Sequence, residues 1–257
     1  MKPGQRGTVN MLGHNDKGKI AVIGIGKLGA AIAKFLVKRG FRVLVFDKYK
    51  RVKIRGAENA KSLKSAVGSA DMVILSVSLA NTQEVLAELS KILKPAQILV
   101  ELAGVKTPFA ATLRKMPCKA VSLHPLFGDF ESLEGKNVII VKNKDAALEK
   151  SASRHLKKFG ANVIFMRTEE HDRIMAQRQL PAYVLSKLFY EIAGNIPLDA
   201  LTPMMKKHQE LAKEVLSEWP LYDSMLKLNP HSRKMIERTE KQLKKMKRKY
   251  SKRQNQK

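Results

Sequence analysis

The chain has 257 residues, of which 44% are apolar, and this is enough for one large domain or two ordinary domains with apolar cores. Its single cysteine, Cys118, excludes a disulfide framework within the chain and a cysteine-based zinc site, and it fits a reducing compartment. No stretch approaches the roughly 18 apolar residues of a membrane span, and the first residues lack the apolar run of a secretory signal. We therefore expect a cytoplasmic protein with no membrane contact and no metal site.

The formal net charge of +26 is extreme, and part of it lies in residues 232–257, which hold about ten more basic than acidic residues. Such a charge could serve contact with nucleic acid or an anionic membrane, attraction of anionic substrates, or only a solvated basic surface. The basic residues are not interleaved with aromatic ones, and no nucleic-acid module is recognisable. We favour the solvated surface and do not expect a nucleic-acid partner.

After a segment over 1–18 that we expect to be flexible, short β-type runs alternate with helical stretches. The run KIAVIGI is almost continuously apolar, as in a strand that is buried on both faces. Alternation of strand and helix requires parallel strands joined by crossover helices, so we predict a doubly wound α/β domain with a mostly parallel sheet over 19–167. The predicted strands are 19–25, 41–47, 71–77, 97–102, 119–123, 137–142 and 161–166, and the predicted helices are 27–40, 81–93 and 145–160.

Strand patterns stop after Arg167, and we predict an all-helical C-terminal domain over 168–250, followed by a basic tail at 251–257. Its first helix covers 168–194, and Pro181 inside it should kink or restart it. Further helices are predicted at about 203–218 and 231–250.

The segment 23–29 reads IGIGKLG and contains the spacing G-x-G-x-x-G. The spacing alone is weak, but here it follows a buried strand and opens a helix, which is the context of a Rossmann-type dinucleotide site. The helix N-terminus would then face the pyrophosphate. The alternative is a turn that needs glycine for backbone reasons only. The predicted cofactor residues of this loop are Gly24, Ile25, Gly26, Lys27, Leu28 and Gly29.

Asp47 ends the next strand, about twenty residues after the glycines, where a carboxylate accepts hydrogen bonds from ribose hydroxyls. It would repel a 2′-phosphate, so NAD is favoured, although Lys48, Lys50 and Arg51 could neutralise that phosphate and leave NADP as the alternative. The small side chains of Ser76, Val77 and Ser78 would let a cofactor pass over the end of the third predicted strand. An ordinary strand-to-loop transition explains these three residues equally well.

His124 ends a predicted strand at the edge where open α/β sheets bind their ligands. A neutral imidazole there can accept a proton from a substrate hydroxyl while a hydride leaves the same carbon. Behind a dinucleotide fold we therefore assign His124 as the catalytic residue, with a structural histidine as the alternative.

Three segments together resemble the prephenate/arogenate dehydrogenases of tyrosine biosynthesis: LHPLFG at 123–128, ELAGVK at 101–106 and EHDRIMA at 170–176. The resemblance runs from Lys19 to about Tyr222. It implies that a hydride passes from the ring carbon bearing the hydroxyl to a nicotinamide, that the histidine accepts the hydroxyl proton, and that carbon dioxide is lost as the ring becomes aromatic. It also implies that His124 is this histidine and that the helical domain binds substrate and forms a homodimer.

Two positions depart from the family pattern. The family has a serine before Val-Lys that contacts substrate and histidine, and this chain has Gly104, with Lys106 retained to meet an anion. The family's carboxylate-gripping arginine aligns with Lys206, which keeps the charge but lacks the bidentate fork. Gln179 aligns near the substrate side chain, and the neighbouring pair His171 and Asp172 either joins the site or caps a helix.

The resemblance favours NAD-dependent prephenate dehydrogenase, with arogenate dehydrogenase as the nearest alternative. A second alternative is another hydroxyacid dehydrogenase of similar architecture, a group that relies on a catalytic lysine. A remote alternative is a regulator that senses a dinucleotide and binds nucleic acid through 232–257.

Overall fold

A computed structural model describes residues 18–128, 130–194 and 201–254, and the chain divides into two compact units between Thr168 and Glu169. The predicted flexible segment, apart from Gly18, lies outside the described residues. The strands are β1 (Lys19–Ile23), β2 (Arg42–Phe46), β3 (Ala57–Asn59), β4 (Met72–Leu75), β5 (Ile98–Glu101), β6 (Lys119–Pro125), β7 (Asn137–Val141) and β8 (Asn162–Met166). The helices of the first unit are α1 (Lys27–Lys38), α2 (Leu63–Gly68), α3 (Leu79–Ile92), α4 (Thr107–Arg114) and α5 (Ala146–Lys158).

The eight strands form one sheet in the order β3-β2-β1-β4-β5-β6-β7-β8, which confirms the predicted Rossmann-type, mostly parallel α/β fold. All neighbouring strands pair in parallel except β6 and β7, which are antiparallel. No helix occurs among the described residues between these two strands, so the chain turns back without a crossover. The parallel strands β1 to β6 therefore share one carboxyl edge.

Alternate residues of the strands are buried on opposite faces of the sheet, as the period of two requires. One face packs against α1 and α5 around a continuous apolar cluster that includes Val22, Phe35, Ile74 and Val121. The other face is covered by buried side chains of α2, α3 and α4, among them Leu86 and Phe109. Both faces are apolar, which explains why β1 and β4 have almost no polar residues.

The turn from β1 to α1 depends on two glycines. Gly24 has φ of +89°, and a Cβ on it would lie 2.5 Å from the carbonyl oxygen of Ser76, at the end of β4. A Cβ on Gly29 would overlap the carbonyl oxygen of Gly24, so α1 packs directly on the turn. A Cβ on Gly26 would meet nothing within 4 Å. The three glycines therefore have different surroundings: two are packed against backbone and one faces open space.

The structure of the first unit contains three elements that were not predicted: β3, α2 and α4. β3 is a three-residue edge strand with the sequence AEN, which has no apolar alternation. α2 begins with a capping box between Ser62 and Ser65, in which serine replaces the usual glutamate or glutamine. α4 begins at Thr107 with a proline in its first turn, a recognised start signal that the prediction did not use.

The second unit consists of helices only: α6 (Thr168–Arg178), α7 (Leu180–Ala193), α8 (Pro203–Ser217), α9 (Trp219–Leu228) and α10 (Ser232–Gln254). The predicted helix over 168–194 is divided at Gln179, because Pro181 lies in the first turn of α7, where its missing N–H is tolerated. α9 was not predicted.

The last helix extends beyond the prediction. α10 continues to Gln254, so the first residues of the predicted tail at 251–257 are helical. Lysine, arginine and glutamine are good helix formers, and no glycine or proline interrupts this stretch. Among the described residues, none of the helices combines the length and the apolar composition that crossing a bilayer requires.

Replacement of Gly24 tests the turn. Gly24→Ala is expected to lower the free energy of unfolding by about 2 kcal/mol or more, because the left-handed conformation and the clash with the Ser76 carbonyl both penalise a Cβ. Gly26→Ala is the matched control and should cost about 1 kcal/mol or less, since its Cβ meets open space. Urea denaturation measures both, and equal losses would contradict this description of the turn.

Candidate active site

A cleft of about 350 Å³ opens where β1, β2 and β4 end. The loops after these strands meet here because parallel strands share their carboxyl edge. Six of the residues predicted to bind a cofactor line the cleft: Gly24, Gly26, Asp47, Ser76, Val77 and Ser78.

The N-terminus of α1 is accessible to an anion in this cleft. Gly26 is its N-cap residue and is exposed, and no acidic side chain occupies the first turn of the helix. A helix N-terminus carries unsatisfied N–H groups and a partial positive charge, so it favours phosphate. Since a Cβ on Gly26 would point into open space, the absence of a side chain there has no packing reason and leaves room for a ligand beside the backbone.

Asp47 organises the loops around the cleft. One carboxylate oxygen, Oδ2, accepts a hydrogen bond of 2.7 Å from the backbone N–H of Ile25 in the glycine turn. The other, Oδ1, accepts from the N–H groups of Tyr49 and Lys50 at 2.9 and 3.1 Å. A carboxylate has about four acceptor positions, so Oδ2 can still accept a hydrogen bond from a ribose hydroxyl. The side chain is thus held in a fixed orientation and remains a competent acceptor.

The charges along the cleft are mixed. Lys48, which could neutralise a 2′-phosphate, forms an ion pair with Glu84 of α3 at 3.2 Å, and Glu84 raises the pKa of Lys48. Glu88 also lines the cleft. Acidic groups therefore offset the basic segment that follows Asp47.

The other four predicted cofactor residues are not among those that line the cleft. Ile25 is buried and Leu28 packs against the apolar cluster, so only their backbones are near the turn. Gly29 is buried where α1 contacts the turn, and its role is the helix packing described above. Lys27, the first residue of α1, is exposed.

His124 lies near the carboxyl end of β6, which extends to Pro125, two residues beyond the predicted strand end. The residue pairs with Ile139 of the antiparallel strand β7, and its side chain is buried. β6 lies two strands from β4, which corresponds to about 10 Å at the usual strand spacing. His124 therefore occupies the same edge of the sheet as the cleft, on the side of β4 away from β1.

A buried polar cluster lies beside His124 at the ends of β5 and β6. Glu101, Lys106 and Ser122 are only 0%, 2% and 3% exposed. One carboxylate oxygen of Glu101, Oε2, accepts from Lys106 Nζ at 2.9 Å and from Ser122 Oγ at 2.7 Å, and Oε1 accepts from the N–H of Ala103. Lys106 Nζ also donates to the carbonyl oxygen of Leu123 at 2.8 Å. The ion pair is thus buried, and both of its partners form further hydrogen bonds.

This cluster corrects one expectation and adds two residues. Lys106 was predicted to meet a substrate anion, but its ammonium is buried against Glu101, because an unpaired carboxylate in the apolar strand β5 would be too costly. Glu101 and Ser122 were not predicted. A carboxylate inside the run ILVEL is itself a signal, since a buried glutamate is almost always paired. Gly104 lies in the same loop and is half-buried.

The remaining predicted substrate residues belong to the helical unit. Gln179 is half-buried at the start of α7 and hydrogen-bonds to the Tyr183 side chain. Burial, followed by the charge interaction with the Tyr222 side chain, raises the pKa of Tyr183 to about 12, so its hydroxyl stays protonated at neutral pH. The two tyrosine rings are stacked with their centroids 3.7 Å apart. Lys206 is half-buried in the second turn of α8.

His171 and Asp172 form a fully buried pair, with His171 Nδ1 2.8 Å from Asp172 Oδ1. The carbonyl of Asp172 accepts a hydrogen bond of 2.9 Å from the Asn229 side chain. This last hydrogen bond connects the backbone of α6 to the segment that precedes α10.

Comparison with known proteins agrees with this architecture. The family description "Prephenate dehydrogenase, nucleotide-binding domain" matches residues 32–165, slightly more than half of the chain and beginning just after the glycine turn. The 4-amino-4-deoxyprephenate dehydrogenase of Streptomyces pristinaespiralis is 25% identical over 206 residues, covering 74% of this chain and 68% of that one. The T-protein of Enterobacter agglomerans is 30% identical over 159 residues, covering 61% of this chain.

The chain spans only about two fifths of the length of the T-protein. The fold is shared with the crystal structure of prephenate dehydrogenase from A. aeolicus in complex with hydroxyphenyl propionate and NAD+, with a TM-score of 0.75 and 23% identity over 91% of each chain. From the matched nucleotide-binding domain, we conclude that the chain belongs to the prephenate dehydrogenase family.

Proposed function

We propose that this protein is a prephenate dehydrogenase that uses NAD to convert prephenate to 4-hydroxyphenylpyruvate and carbon dioxide. The observation that carries the proposal is the placement of His124, buried at the same sheet edge as the cleft around the glycine turn, in a chain of this family. Family membership supports the reaction class, and the site supports the assignment of residues.

The cleft fits NAD. The open side of Gly26 and the N-terminus of α1 suit the pyrophosphate, and Asp47 suits the adenosine ribose. NAD, when bound, accepts the hydride from the ring carbon that bears the hydroxyl. Ser76, Val77 and Ser78 present only small side chains where the cofactor would cross β4.

His124 supplies the proton chemistry. A neutral imidazole accepts the proton of the substrate hydroxyl as the hydride leaves the same carbon, and so prevents positive charge from building up on the oxygen. The ring carboxylate then departs as carbon dioxide, and its bonding electron pair makes the ring aromatic. The phenolate oxygen formed in this step takes the proton back from the imidazole, which becomes neutral again. Since aromatisation drives the reaction, the protein contributes mainly orientation and charge placement.

Lys206 and Gln179 are proposed to bind the substrate's carboxylate and side chain. A lysine provides charge without the paired hydrogen bonds of an arginine, so we expect a weaker grip on the carboxylate than a bidentate contact gives. Gly104 offers no hydroxyl to the substrate, which leaves His124 as the principal polar contact of the reacting carbon from the first unit.

Preference for NAD over NADP follows from the charges at the cleft. A 2′-phosphate would lie against the fixed carboxylate of Asp47, and the nearby ammonium of Lys48 is already paired with Glu84. Lys50 and Arg51 remain as the residues that could admit NADP.

A homodimer through the helical unit is part of the proposal. Leu185 of α7 and Leu211 of α8 are each about half exposed, and Ile192 of α7 is 84% exposed. Large apolar side chains in such numbers are typical of an interface. Light scattering should give twice the mass of one chain, whereas the mass of a single chain at micromolar concentration would contradict the dimer.

The direct test is turnover by the purified full chain. Prephenate, arogenate and 4-amino-4-deoxyprephenate are each incubated with NAD or NADP, and the absorbance of the reduced nicotinamide is followed. We expect prephenate with NAD to be the best pair, with one carbon dioxide released per reduced cofactor. No turnover with any of the six combinations would refute the dehydrogenase proposal.

His124→Asn is expected to lower kcat about 10³-fold, because asparagine cannot accept the hydroxyl proton. The Kd for NAD should remain within about twofold, since the cleft around the glycine turn is unchanged. Steady-state kinetics measure kcat, and calorimetric titration with NAD measures the Kd. Full activity of the variant would instead favour a dehydrogenase that relies on a catalytic lysine.

Asp47→Asn is expected to narrow the preference for NAD over NADP by about tenfold or more, because it removes the charge that repels a 2′-phosphate. Its single amide oxygen can still accept from the N–H of Ile25, which keeps the glycine turn in place, whereas the hydrogen bonds from the N–H groups of Tyr49 and Lys50 are lost. The ratio of kcat/KM for the two cofactors is the measurement, with Glu131→Gln, outside the residues lining the cleft, as a control for loss of one negative charge. An unchanged ratio would remove Asp47 from cofactor selection.

A further inference from the structure

The buried cluster of Glu101, Lys106 and Ser122 has no direct part in the proposed reaction. A buried ion pair is also a poor source of stability, since the cost of desolvating two charges offsets their attraction. The cluster is nevertheless fully sealed and lies next to the proposed catalytic residue. The position of this cluster at the ends of β5 and β6 indicates its role.

The pairing of β5 with β6 stops just before His124. The last paired residues are Glu101 and Ser122, after which the chain leaves β5 for the loop that leads to α4. Beyond that point β6 continues for three more residues, up to Pro125, and these are paired with β7 on the other side. The β5 side of this extension needs support from another part of the protein.

Lys106 provides that support. Its ammonium donates to the carbonyl oxygen of Leu123 at 2.8 Å, and this carbonyl belongs to the peptide bond that joins Leu123 to His124. Glu101 holds the ammonium at 2.9 Å and also accepts from Ser122 Oγ, on the same face of β6 as His124. A shift of β6 by even a fraction of an ångström would therefore break charged hydrogen bonds that water cannot replace.

We propose that Glu101 and Lys106 are positioning residues for His124. They continue the support of β6 past the end of β5, so that the imidazole is held in the orientation needed for proton transfer. This inference rests on the proposed function, in which His124 accepts the proton. It assigns the pair to geometry and not to contact with substrate or cofactor.

The test uses the double variant Glu101→Gln/Lys106→Met in the full chain. The double variant removes both buried charges at nearly constant side-chain volume. Either single variant would leave one buried charge without its partner and is expected to fold poorly. The control is Lys144→Met, which removes a lysine that donates to the carbonyl of Met116, at the opposite end of β6, at 2.7 Å.

For the double variant we expect kcat with prephenate and NAD to fall about 10- to 100-fold, the scale of a small misplacement of a catalytic group. The KM for prephenate and the Kd for NAD should stay within about twofold, and the melting temperature should stay close to that of the wild type. Lys144→Met should leave kcat unchanged. Equal losses in both variants, or an unchanged kcat in a folded double variant, would overturn the proposal.

A second measurement does not depend on turnover. The imidazole ¹⁵N signals of His124, assigned by their absence in His124→Asn, should report one tautomer in the wild type and exchange between states in the double variant. If the wild type turns over no substrate, the proposed function fails, but these signals still decide the positioning role. If the double variant does not fold, Ser122→Ala removes one hydrogen bond of the cluster and should lower kcat about threefold, and an unchanged kcat would count against the inference.

Discussion

The common carboxyl edge of the parallel strands is the constraint on which this site depends. The strands from β1 to β6 in the sheet order pair in parallel, so that β1, β2, β4, β5 and β6 all end on one side of the sheet. The glycine turn, Asp47, Ser76 and His124 follow or end four different strands and span a hundred residues of sequence. Antiparallel neighbours would have placed half of them at the opposite edge, and no cleft could have joined them.

Two carboxylates at this edge have different uses because their burial differs. Both accept backbone N–H groups of their own loops and so order those loops. Asp47 is half-buried and keeps an acceptor position open to the cleft, whereas Glu101 is fully buried and is shared between Lys106 and Ser122. The first carboxylate suits recognition of a ligand, and the second suits the orientation of the protein's own strand.

Part of the large positive charge lies in the last helix of the chain. α10 alone carries much of it, and residues 241–250 of this helix are all exposed. Ion pairs one turn apart, such as Arg233 with Glu237 and Lys244 with Glu240, are exposed and contribute little stability. Good helix formers favour the helical conformation over this exposed part, whereas Ser232 and Met235 in the first turn of α10 are buried. A solvated basic surface remains our interpretation of the net charge.

Sequence alone was sufficient for those features that depend on local chemistry. Such features act within a few neighbouring residues. They are the apolar period of two in strands and of 3.6 in helices, the glycine spacing, the proline at 181 and the histidine at a strand end. They predicted the α/β order, the β1–α1 turn and the division between sheet and helical units. The short strand β3 and the capped helix α2 were missed because their signals are brief, with no apolar period to reveal them.

Only the tertiary structure decided which distant groups meet. Lys106 was expected to meet a substrate anion, and its partner proved to be Glu101, since the nearest acceptor is set by how the β5–α4 loop folds onto β6. Likewise, Ile25 and Leu28 were predicted as cofactor residues of the loop, and the structure shows that their side chains pack in the core, because the direction of a side chain depends on the helix and sheet around it. A charged or apolar side chain in a sequence indicates that a partner is needed, and packing in three dimensions determines which partner the side chain contacts.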